Sequence, residues 1–262
     1  MTTYEQQSSA NPHLKEGVEY WHLGDYAKAG QCFLAGLTAA QANGDQLATG
    51  ISSLYLGMID LGNRQFEAAR PRLQESLNIF QEEESAIHLA LTLAGVGRVH
   101  DEMSSKVDAR AAYLQSLQLS VEYQLVPSLL LVLSGVALQL AREVNQAPHL
   151  HPKAIEQLSR AITLYTVTIQ HLEEGEPGDL TWFEAVFGQQ IGHIVYDLAP
   201  DIVAEAQTKG KQLDLWPTAV ELEAELIKLG WQKKATTSGN ITAANRANLN
   251  SPPSMTNGFV AG

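Results

Sequence analysis

Two histidines one residue apart, His149 and His151, are the first pair in the chain that could hold a metal ion. Two ligands are too few for a structural zinc site, and no cysteine or third histidine stands near them in sequence. The pair reads as a polar loop ahead of Pro152. His193 and Glu184 could act as an acid–base pair, but nine residues set them half a turn out of phase on a helix. His100-Asp101-Glu102 reads as a polar helix end facing solvent. The sequence has no nucleophile with a base at suggestive spacing, no Gly-x-x-x-x-Gly-Lys-Ser/Thr phosphate loop and no metal box. A hydrolase therefore has no motif behind it, no cofactor is expected, and the reading is not an enzyme, although missing motifs do not by themselves exclude one. Arg98 and Arg142 carry the chemistry that remains, because a guanidinium can hold a carboxylate bidentately. Arg98 also has a competing use: Asp101 and Glu102, three and four residues on, would be its neighbours on a helix.

The elements that would position these side chains recur at a fixed interval. Gly17, Gly57 and Gly97 are 40 residues apart, and the same step links Ala29, Ala69 and Ala109. It also links Phe33, Leu73 and Tyr113, then Gly36, Ser76 and Ser116, then Leu37, Leu77 and Leu117. The stretch from Leu54 to Phe80 reads as one unit. A helix carries Leu54, Leu56, Gly57 and Leu61, Gly62-Asn63 makes a turn, and a second helix carries Phe66, Ala69, Leu73, Leu77 and Phe80. Small residues at the glycine and alanine columns let the two helices approach, and the large residues of the 33/73/113 column fill the space between neighbouring hairpins. A single hairpin cannot bury both of its apolar faces, so such units must stack.

Composition bounds the function classes. The chain has 262 residues, 45% of them apolar, enough for one elongated domain or two small ones. Its net charge of -12 argues against general nucleic-acid binding. Residues 232–262 hold Lys233, Lys234 and Arg246 and no acid, which leaves 14 basic against 29 acidic residues before them. Cys32 is the only cysteine, so no intramolecular disulfide can form, and it reads as a small core residue. The N-terminus shows no basic start followed by an apolar run, so no secretion signal is expected. The longest apolar run, Val126 to Ala141, is broken by Ser128, Ser134 and Gln139 and falls short of the roughly 20 residues a membrane span needs. A soluble, cytoplasmic protein with no membrane or nucleic-acid partner is the expectation.

In chain order, residues 1–10 read as a flexible N-terminus and 11–172 as about four hairpins. Residues 173–231 read as C-terminal capping helices and 232–262 as a disordered tail. Asn11-Pro12 starts the first helix, Gly24-Asp25 turns it, and Gly44-Asp45 ends the second. Pro71 falls inside a helix, which must start later or bend there. Ser104-Ser105-Lys106 lacks the aromatic residue that Tyr26 and Phe66 supply in the other turns, so a looser turn with Val107 packing in its place is expected. Val126 to Ala141 belongs to a fourth unit starting at Pro127, whose second helix starts at Pro152 after a longer turn, Asn145 to His151. Gly175 to Asp179 reads as a polar break. Helices are expected over 180–198, 200–212 and 217–229, with Trp182, Phe183, Phe187, Tyr196 and Trp216 giving this region its aromatic density.

Leu-Gly-Asp-Tyr-Ala-Lys-Ala at 23–29 and Phe-Glu-Ala-Ala-Arg-Pro-Arg-Leu-Gln-Glu-Ser-Leu-Asn-Ile-Phe at 66–80 resemble tetratricopeptide repeats of the 40-residue type. The second stretch is similar to the repeats at the sensor end of large bacterial signalling ATPases and LuxR-type transcriptional regulators, in which Ala-Arg-Pro is common. The resemblance spans about residues 14–225. It implies an all-α fold, a right-handed superhelical solenoid of helical hairpins with a C-terminal helical cap. It also implies a non-catalytic scaffold or adaptor in bacterial signalling, with a peptide or partner helix on the concave face lined by the first helix of each hairpin. Carried onto this sequence, that face takes Lys15, Val18, His22, Tyr55, Met58, Leu61, Arg98, Asp101, Glu102, Leu138 and Arg142. The alternative is a ligand-sensing regulatory subunit of a separate ATPase or regulator, with the C-terminal aromatics lining a pocket. The partner's identity and the oligomeric state are not written in the sequence.

Overall fold

The first turn among the described residues is set by two neighbours in sequence. Asn11 accepts a hydrogen bond from the backbone N–H of His13, and Pro12 opens helix α1, Pro12–His22. The computed structural model describes residues 11–145, 151–173 and 177–231. The expectations for residues 1–10, for His149 and for the tail 232–262 lie outside these. Seven further helices follow α1: α2 (Tyr26–Asn43), α3 (Gln46–Gly62), α4 (Phe66–Glu82), α5 (Ala86–Glu102), α6 (Lys106–Tyr123), α7 (Val126–Asn145) and α8 (Pro152–Leu172). They pack in successive pairs, α1 on α2, α3 on α4, α5 on α6 and α7 on α8. Among the described residues there is no strand.

The turns repeat more regularly than their residues do. Gly24, Gly44, Arg64, Glu84, Ser104 and Gln124 all adopt left-handed backbone, with φ between 51° and 76°, one every twenty residues. After each, the next N–H bonds back five residues, as in Asp25 to Tyr20, Gln65 to Asp60 and Ser105 to His100. The 104–106 turn is therefore closed like the others rather than loosened, and Val107 is 67% exposed instead of packing inward. Non-glycine residues resist this conformation, so Arg64→Gly, at an exposed site, should stabilise the chain by about 0.5–1 kcal/mol after glycine's own entropy cost. A urea denaturation series checks it.

The 40-residue columns meet in space. A Cβ built on Gly17 would stand 2.7 Å from the Phe33 ring, one on Gly57 2.7 Å from Leu73 and one on Gly97 2.8 Å from Tyr113. Each large residue thus seats on the glycine sixteen positions before it, within its own hairpin. It also reaches the next hairpin: Phe33 stacks on Tyr55 at 4.5 Å, and Leu73 and Tyr113 lie against Gly95 and Gly135. Gly57→Ala should therefore cost about 1–3 kcal/mol by overpacking, read as a lower melting temperature. Helix α4 begins at Phe66 and runs through Pro71, so it does not start later. Cys32 is half-buried rather than in the core. Helix α7 contains Val126–Val144, which by length and composition alone could cross a membrane; 72% of that window is buried in the body, as in a central core helix.

The C-terminal region does not repeat the pairing. Residues 177–195 form one helical run: α9 (Pro177–Phe183), a π-helical turn over Glu184–Gly188, and α10 (Gln189–Val195). It starts earlier than expected, because Pro177, Gly178 and Asp179 lie in its first turn rather than in a break. Helix α11 (Pro200–Lys211) packs on α8, and α12 (Leu215–Lys228) packs on α6.

Candidate partner-binding face

The run 177–195 lies across the first helices of the four pairs, α1, α3, α5 and α7, and touches them in order. At its start the Trp21 indole N–H donates to Asp179 at 2.8 Å, His22 stands 3.6 Å from the same carboxylate, and the Tyr26 hydroxyl donates to the Gly178 carbonyl. One turn on, the Trp182 indole donates to the Met58 carbonyl at 2.9 Å. A further turn on, Arg98 donates to the Val186 carbonyl at 3.3 Å. At the far end Arg142 donates to the Gln190 side chain. These contacts, at 178/179, 182, 186 and 190, follow the four-residue spacing of one helical face. Between them Trp182, Phe183, Val186, Phe187 and Ile191 are buried. Trp182 lies 5.8 Å from the Trp21 ring and 5.4 Å, edge-on, from Phe183. The fit at the start is close, since a Cβ on Gly178 would run into the backbone of Trp21 and Gly24.

A charge cluster sits under the middle of this run. Arg98, only 1% exposed, is 2.5 Å from Glu102 and 3.7 Å from Asp101. Arg142 bonds both acids from the neighbouring pair, Asp101 at 2.7 Å and Glu102 closer still. The Arg98 guanidinium lies over the Phe66 and Phe187 rings, 5.7 and 5.5 Å from their centroids. Its Nε and Nη1 make no hydrogen bond. Burial pushes the Asp101 carboxyl above its usual range despite the two guanidiniums. Burial also pushes Glu102 up, but Arg98 and Arg142 outweigh it and hold that carboxyl below its usual value. Beside the cluster is a polar cleft of about 350 Å³ lined by Asp101, Glu102, Lys106, Gln139 and Arg142 among others. Neither the amide nitrogen nor the amide oxygen of the buried Gln139 has a hydrogen-bond partner.

The residues expected on the partner face therefore have several fates. Tyr55, Met58, Leu61, Arg98 and Leu138 are buried, and His22, Asp101, Glu102 and Arg142 are half-buried around residues 177–195. Val18 is half-buried and Lys15 is exposed. Both arginines pair with Asp101 and Glu102 of their own chain. His100-Asp101-Glu102 is no solvent-facing helix end, because the Asp101 side chain is only 5% exposed. Gly178, Asp179, Trp182, Val186 and Gln190 join the site without a repeat position that marks them. Only the aromatic density near 182 signals them in the sequence. Glu184 accepts from the Tyr165 hydroxyl at 3.0 Å and His193 is exposed. The His151 ring accepts from the Ala154 N–H and caps α8. Among the described residues no three His, Cys, Asp or Glu side chains come together as a metal site would need. Comparison with family models, with curated proteins and with solved structures found no match to this chain.

Proposed function

We propose that this chain is a tetratricopeptide-like adaptor that works without catalysis. It holds a peptide or helix of another protein against the first helices of a right-handed solenoid of hairpins, within bacterial signalling. The observation that carries the reading is that this face already grips a helix: residues 177–195 are held there by indole, guanidinium and apolar contacts at one-turn spacing. Helix-in-groove docking uses the same means. The resemblance of 66–80 to the repeats of bacterial signalling proteins supports the setting. Affinity capture of the tagged full chain from its native cells tests it, with Gly178→Ala alongside the unaltered protein. A specific protein retained more strongly by the variant supports an adaptor, and no specific protein retained by either removes it.

The cleft at Asp101, Gln139 and Arg142 favours a second reading, a ligand-sensing regulatory subunit. Its volume is at the small end of ligand sites. A thermal-shift screen of small polar metabolites tests it, since a ligand that binds the folded chain raises its melting temperature.

A further inference from the structure

We infer that residues 177–195 are a built-in competitor for the partner, and that the partner is an amphipathic helix of the same make: clustered aromatic side chains flanked by polar acceptors. This rests on the adaptor reading and names the partner class and its control.

Four observations carry it. First, the run belongs to no helical pair. Its contacts are spread over all four pairs, on α1, α3, α5 and α7 with Tyr26 of α2 and Tyr165 of α8 beside them, as a docked ligand's would be. Second, its neighbours in sequence are anchored elsewhere, α8 on α7 and α11 on α8, so lifting the run leaves both flanks held. Third, its fit is incomplete at the centre. Arg98 is buried and lies over the run's Phe187 ring, yet it gives the run only one long hydrogen bond, to a backbone carbonyl, and its Nε and Nη1 donate no hydrogen bond. A helix that brings a carboxylate or an amide oxygen to that point would bind better. Fourth, the run's centre is a π-helical turn, a geometry rare in proteins and enriched at functional sites.

The competition has a definite strength. A segment tethered in its own chain acts at an effective concentration on the order of millimolar. A free helix of equal quality, offered at micromolar concentration, is therefore excluded from the unaltered protein and admitted once the tethered one is weakened. Gly178→Ala weakens it without removing apolar surface, because the added methyl meets the backbone of Trp21 and Gly24. Trp182→Ala weakens it by a separate route, through loss of the indole and its bond to Met58.

The probe is a fluorescein-labelled peptide of residues 177–195, titrated by anisotropy into the full chain and into each full-length variant. Both variants are expected to bind it about tenfold tighter than the unaltered protein, or better. Amide hydrogen exchange on the unaltered chain is expected to show 180–195 opening faster than α3 and α5. Equal peptide affinity in all three proteins, or none in any, overturns the inference. So does exchange of 180–195 only together with α3 and α5, or loss of the helical circular-dichroism signal in both variants, since either makes the run part of the core. Peptide binding without any captured cellular protein sinks the adaptor reading alone. Capture of a protein without peptide binding sinks this inference alone.

Discussion

Arg98→Ala should lower the stability of the chain by about 3–5 kcal/mol, the usual result of removing one partner from a buried ion pair. The guanidinium is almost completely inside, it faces Glu102 at 2.5 Å and Asp101 at 3.7 Å, and it lies over the Phe66 and Phe187 rings. Its loss leaves a cavity beside two aromatics and leaves Arg142 alone to neutralise two carboxylates. Arg98→Lys should recover only part of the loss, because an ammonium has neither the planar face that lies over the Phe66 and Phe187 rings nor the second nitrogen that stands toward Asp101. Chemical denaturation of the three proteins at neutral pH reads the order directly. Arg142→Ala should cost clearly less, since that side chain is 26% exposed. If Arg98→Ala proved as stable as the unaltered chain, the buried cluster described above would not exist.

The second large effect is a dependence of stability on acidity between pH 6.5 and 4. His88 is 1% exposed, stacks on Phe80 at 4.6 Å and shares a hydrogen bond with Ser85; burial holds its pKa down to about 4. The folded chain therefore keeps the ring neutral through this range, while the unfolded chain takes up a proton below about 6.5. The unfolded state binds more protons, so stability falls as pH falls through the window, by about 3 kcal/mol in total. In His88→Phe, which keeps the stacking, that share of the slope should vanish. Glu102 and the carboxyls raised by burial, Asp60 and Asp101, titrate in both proteins, so the difference between the two curves isolates His88. Parallel curves would mean that the ring is not buried neutral.

The periodic part of the molecule was legible because its packing is a conflict between large and small. A ring or a leucine seats where no Cβ fits, which ties Gly17 to Phe33, Gly57 to Leu73 and Gly97 to Tyr113 and leaves a mark at a fixed step. The Arg98 pairing was legible for a similar reason, because three- and four-residue spacing puts acid and base side by side on a helix. The turns were only half legible. Gly24 and Gly44 announce a left-handed residue, whereas Arg64, Glu84, Ser104 and Gln124 adopt the same backbone without announcing it. The crossing of 177–195 over the first helices was not legible. Much of what fixes it runs through main-chain oxygens, those of Met58, Gly178 and Val186, and a carbonyl is the same in every residue. The small residue that matters most there, Gly178, sits outside the 40-residue columns.

One consequence follows for how such a chain can change its size. Tandem hairpins with interchangeable turns invite gain or loss of whole units, since any neighbour offers the same seat. Here a single helical run is fastened to each of four successive units, at Trp21, Met58, Arg98 and Arg142 among others. Deleting or duplicating one unit would shift every fastening beyond it by the width of a hairpin, which a rod of fixed length cannot follow. The crossing segment thus matches an array of four units in length.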